Sequence, residues 1–74
     1  MTIHLNDILN YMGEGSIAVV HVQPENLTFI CEISSTERRD EFKSYIYRRT
    51  HPYLKVTSFQ GLKFVDKGLE IFCE

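Results

Sequence analysis

The chain has no tryptophan, two cysteines, two prolines and four glycines among its 74 residues. Two cysteines, Cys31 and Cys73, stand 42 positions apart in runs that read as strand, so they supply no disulfide framework of the kind that staples small secreted domains. They are expected to be reduced, buried thiols of a cytoplasmic protein. No long apolar run is present, which excludes a membrane-spanning helix. A basic start followed by a continuous apolar stretch is also missing, so no signal peptide is expected. Lys and Arg are absent from residues 1–36, which carry Asp7, Glu14, Glu25 and Glu32.

What is present is ordinary globular composition, 43% hydrophobic with five Phe and four Tyr, and this argues against disorder. The length suits one domain over residues 1–74 with a small core. Charge is segregated. The net charge is −4 over residues 1–36, +4 over 37–63 and −2 over 64–74. A basic middle segment can steer an anionic partner, or be the solvated face of a helix.

Leu5, Ile8, Leu9 and Met12 follow the spacing of one helical face, with Asn6 as the expected N-cap and Gly13 as the expected left-handed C-cap. Residues 16–33 read as a hairpin turning at Pro24-Glu25-Asn26. If Gln23 pairs with Leu27, then Ile17, Val19, His21, Phe29, Cys31 and Ile33 share one face. Ala18, Val20, Val22 and Ile30 fall on the other. Two apolar faces want cover on both sides, so a homodimer is expected. Ser34 and Glu37 have capping-box spacing ahead of a helix reaching about Arg49, with Phe42, Tyr45 and Ile46 facing inward and Tyr47 pointing elsewhere. His51-Pro52 ends that helix. A second hairpin follows, in which Phe64 facing Ile71 gives a clean apolar face. The expected fold is α+β in the order αββαββ, an antiparallel sheet covered by two helices, or αββαβββ if Gln60-Gly61 forms a turn.

Several chemistries find no footing. Gly13-Glu14-Gly15 lacks the rest of a phosphate loop and follows a helix instead of a strand. His4, His21, His51, Cys31 and Cys73 contain no close-spaced ligand pair, so no metal is expected. His21 near Cys31, on the register above, could pair a base with a thiol, but a mid-strand cysteine between Ile30 and Ile33 reads as core. No catalytic residue, enzyme activity or cofactor is expected.

The informative stretch is residues 38–55. Arg38, Arg39, Lys43, Arg48 and Arg49 are interleaved with Phe42, Tyr45, Tyr47 and Tyr53. Arg with Tyr suits phosphate contact and base stacking. It also suits protein hot spots. At 100° per residue the cations wrap around the helix, Glu37, Asp40 and Glu41 share it, and the whole chain is acidic, with a pI near 5.9. The expectation is therefore a protein-binding surface built from Arg38, Arg39, Lys43, Tyr47, Arg48, Arg49 and Tyr53. A nucleic-acid-associated protein using the same segment is the alternative.

The runs Leu-Asn-Asp-Ile-Leu-Asn-Tyr-Met (5–12), Lys-Val-Thr-Ser-Phe (55–59) and Lys-Gly-Leu-Glu-Ile-Phe (67–72) resemble those of small phage- and prophage-encoded proteins of Gram-positive bacteria. They cover 19 of the 74 residues and leave out the Arg-rich helix. The resemblance implies a protein that binds a host or defence protein and modulates it, a class that includes anti-CRISPR inhibitors. It implies no particular site residue.

Overall fold

The structure is a computed structural model and describes residues 2–74. The elements are α1 (Leu5–Tyr11), β1 (Ser16–Val22), β2 (Leu27–Ile33), α2 (Thr36–Arg49), β3 (Val56–Gly61) and β4 (Gly68–Cys73). The order αββαββ is the expected one.

The sheet is mixed, not wholly antiparallel. Its strand order is β2-β1-β4-β3. The outer pairs β1/β2 and β3/β4 are antiparallel hairpins, and the central pair β1/β4 is parallel. Connectivity explains the difference. Helix α2 carries the chain from β2 at one edge to β3 at the other, and such a crossover returns the chain in the direction of β2. Strand β4 then runs back along β3 and lies beside β1 in the same direction.

The first hairpin is shifted by one residue from the expected register. Val22, not Gln23, pairs with Leu27, and Asn26 takes a left-handed φ of 57° in the turn. Ala18 is therefore opposite Cys31, and Val20 opposite Phe29. One residue of slip exchanges the two faces of a strand. The core face carries Ala18, Val20 and Val22 with Phe29, Cys31 and Ile33. Ile17, Val19, His21 and Ile30 belong to the other face and stand outside the core. His21 and Cys31 are thus on opposite faces, which removes the thiol–base pair.

The second hairpin departs further. Phe59 pairs with Ile71, and Leu69 pairs with Gly61, so residues 62–67 form the connection. Phe64 lies in it at 96% exposure instead of facing Ile71. Gly61 is the last residue of β3, not a turn. A bulge falls between Val56 and Ser58, where the Thr57 hydroxyl donates to the Phe72 carbonyl.

Both helices contribute to one core. Leu5, Leu9 and Met12 of the α1 segment, Phe42 and Ile46 of α2, and Leu54 join Ile71 and Cys73 of β4. The caps differ from expectation. His4 is the N-cap of α1, with its N–H donating to the Asp7 carboxylate at 3.2 Å. Met12 ends α1 in an extended conformation, and Gly15, not Gly13, takes the positive φ. Ser35 caps α2, its hydroxyl accepting from the Arg38 N–H at 3.0 Å. Ser34 is used in the preceding turn, where its N–H donates to the Glu32 carbonyl. Tyr45, expected inside, is half-exposed, while Tyr47 is partly buried against the core.

Both thiols are buried, and burial pushes the Cys73 thiol up to about 11. A thiolate is then scarce at mild pH. Under native conditions near pH 8, thiol-reagent labelling of Cys31 and Cys73 should be slow, becoming rapid and complete on denaturation. Rapid native labelling of either residue would contradict the packing.

Candidate functional site

The residues expected to bind a partner separate into three groups once α2 is docked. Arg39 and Lys43 face α1. The Arg39 guanidinium donates to the Met12 carbonyl at 2.9 Å, satisfying a carbonyl at the end of α1. The Lys43 ammonium donates to the side-chain carbonyls of Asn6 at 3.1 Å and Asn10 at 2.6 Å, and its side chain is only 16% exposed. Tyr47 and Tyr53 border a small hollow of about 360 Å³ with His4, Asp7 and Pro52. The Tyr47 hydroxyl is buried without a hydrogen-bond partner among the described residues, and burial raises its pKa.

Arg38, Arg48 and Arg49 form the third group. They line a groove of about 960 Å³ between α2 and β2. The cations that wrap around an isolated helix are thereby divided by their helical angle, some tying α1 to α2 and others reaching the groove. Phe29 and Phe42 sit low in it, both buried. Tyr45 stands edge-on to Phe29, with ring centroids 5.8 Å apart and an interplanar angle of 82°. The Arg49 guanidinium carbon lies 3.6 Å from the centroid of the Tyr45 ring, a cation–π contact.

Charge in the groove is uneven. Arg38 pairs with Glu41 at 3.3 Å, and Asp40 lies 3.8 Å from Lys43. Arg48 donates to the Ser44 carbonyl at 3.4 Å, and Arg49 to the Tyr45 carbonyl at 3.2 Å. Neither meets a carboxylate among the described residues. Their position in the last turn also suits the helix dipole.

A second cluster lies on the sheet face away from the core. The His21 Nε2 is 2.7 Å from the Glu70 carboxylate, and its Nδ1 is 3.1 Å from the Thr28 hydroxyl. Gln60 donates to the other Glu70 oxygen at 2.7 Å. The His21 ring stacks on Phe72, with centroids 4.8 Å apart at 16°. Sequence reasoning missed this cluster because it spans β2, β1, β4 and β3, and its centre depends on the parallel pairing that sets His21 beside Phe72. No local pattern marks it. Among the described residues, no group of three or more His, Cys, Asp or Glu is placed to hold a metal.

Hydrogen bonds from Gln60 first, and then from His21, hold the Glu70 carboxyl below the usual carboxylate range. A carboxyl whose pKa is lowered on folding contributes stability above its unfolded pKa, about 4.3. That contribution is lost as pH falls through the folded value. The gap in Tm between the wild type and Glu70→Gln should therefore be present near neutral pH and shrink as pH is lowered toward about 3. A gap that is constant with pH would show that the pairing does not act through ionised Glu70.

No protein-family model, characterised protein or solved structure matches the chain.

Proposed function

We propose that the protein is a small protein-interaction module whose binding surface is the groove between α2 and β2. The observation that carries this reading is the pairing of two guanidinium groups, Arg48 and Arg49, with a half-exposed Tyr45 above a buried aromatic floor, and with no carboxylate among the described residues within ion-pair distance of either cation. Arg and Tyr beside a desolvated aromatic pocket are the residue types that dominate protein interfaces. Binding without chemistry fits the groove, because its carboxylates, Asp40 and Glu41, already face cations and leave no free acid–base pair. The resemblance to phage proteins points to a host or defence protein as the partner, with inhibition by occupancy as the mode of action.

The nucleic-acid reading draws less support. A strand-tracking surface needs a continuous positive groove. Arg39 and Lys43 are turned toward α1, and the remaining cations of α2 share their groove with Asp40 and Glu41.

Immobilised protein, exposed to nuclease-treated bacterial lysate, should retain a protein that Arg48→Ala/Arg49→Ala retains at least about tenfold less. Lys67→Ala, in the distant β3–β4 connection, should retain it fully. Retention that disappears with nuclease would overturn the proposal. Binding to random duplex with a log–log salt slope near −0.9 per phosphate neutralised would favour the nucleic-acid reading instead.

A further inference from the structure

We propose that the groove takes its partner by strand addition: an extended segment of the partner pairs with the outer edge of β2 and sets a carboxylate against Arg48 and Arg49. This rests on the reading of the groove as a protein-binding surface and specifies the conformation and charge of what enters it.

The wall of the groove is the first observation. Four consecutive residues of β2, 27–30, line it. Successive side chains of a strand point to opposite faces. Leu27 and Phe29 belong to the core face, and Thr28 and Ile30 to the other. All four border one groove only if its wall is the backbone edge of the strand.

That edge is open. β2 is the end strand of the sheet and, among the described residues, pairs with β1 alone, so alternate N–H and C=O groups point outward. Edge strands are usually blunted by bulges, prolines, lysines or covering segments. β2 has seven residues, an unbroken register, and no Pro, Gly or Lys. The opposite edge strand, β3, is treated differently. It carries the bulge near Thr57 and is covered at its start by the N-terminal segment, where the Val56 N–H donates to the Ile3 carbonyl at 2.8 Å.

The helix supplies register and charge. Only Ser34 and Ser35 separate β2 from α2, so α2 runs back along β2. Arg48 and Arg49 therefore stand at the Leu27 end, and the Arg38–Glu41 pair at the Ile33 end. From residue 38 to residue 48 a helix rises roughly 15 Å. A strand covers that length in about five residues. A short extended segment thus spans the groove. Its side chains on the helix side meet Tyr45 over Phe29 in the middle and the two uncompensated guanidiniums at one end. The matching segment has an apolar residue and, two positions away, Asp or Glu.

Random dodecapeptides displayed on phage and selected on the immobilised full chain test this. Selected sequences should be free of proline in the centre and show an acidic residue two positions from an apolar one. Backbone N-methylation of one selected peptide should weaken binding at least tenfold at every second position and leave the positions between nearly unchanged. Alternate β2 amides should gain hydrogen-exchange protection in the complex. Arg48→Glu/Arg49→Glu, checked for a native fold by circular dichroism, should bind at least tenfold more weakly and recover binding when the peptide's acidic residue becomes Lys. Peptides with apolar residues three and four apart, weakened by N-methylation at consecutive positions, would overturn strand addition while leaving the groove a protein-binding site. Selection without acidic bias, or no selection above background, would overturn it too, and lysate retention would still report on the groove independently. A concentration-dependent dimer that protects β2 amides without peptide would overturn it in favour of a second copy of this chain.

Discussion

The parallel pairing of β1 with β4 is the contact on which the other features rest. An isolated two-stranded hairpin is marginal in water. Here two hairpins are joined side by side, with Val20 opposite Ile71 and Val22 opposite Cys73. All four residues are buried, Val20 and Ile71 completely. The join makes one core face wide enough for both helices. It also decides which strands lie inside the sheet and which are edges. On the outer face it sets the His21 ring on Phe72, within reach of Glu70.

Helix α2 makes that join and is mostly polar. It buries only Phe42 and Ile46. Its polar groups supply part of what its apolar face does not. Arg39 takes up the terminal carbonyl of α1, and Lys43 draws Asn6 and Asn10 onto α2. Hydrogen bonds from a charged donor are stronger than neutral ones, and Lys43 makes its pair largely shielded from water. Two members of a cation-rich segment thus work inside the fold, and the rest of the helix's cations are left to its outer side.

The two edges of the sheet have different characters as a result. β3 is interrupted by a bulge and receives the N-terminal segment. β2 is regular, and the groove beneath α2 runs along it. The turn of Ser34 and Ser35 is too short to move α2 away from β2, so helix and edge form one surface. Aromatic packing of Phe29 against Tyr45 closes its floor. The two-residue connection from β2 to α2 therefore builds the groove.

Much of the local structure follows from the residues alone. Apolar spacing marks α1, β-branched runs mark the hairpin strands, and His51-Pro52 marks the end of α2, because these signals act over a few residues. The concentration of cations and tyrosines on α2 is legible as well, and the fold brings three of those cations, Arg38, Arg48 and Arg49, to one groove. Register is less legible. Val22 in place of Gln23 opposite Leu27 is a single-residue difference, and both faces of β1 and β2 are apolar enough to satisfy either pairing locally. Only the helices, which bury Ala18, Val20 and Phe29 together, distinguish them. The same holds for Phe64: its distance from Ile71 follows from where β3 pairs, not from its hydrophobicity. The sequence by itself determined the kinds of element, their order and the polar character of α2. The tertiary structure alone decided the parallel centre of the sheet, the roles of the individual cations and the open edge of β2, because each depends on contacts between residues tens of positions apart.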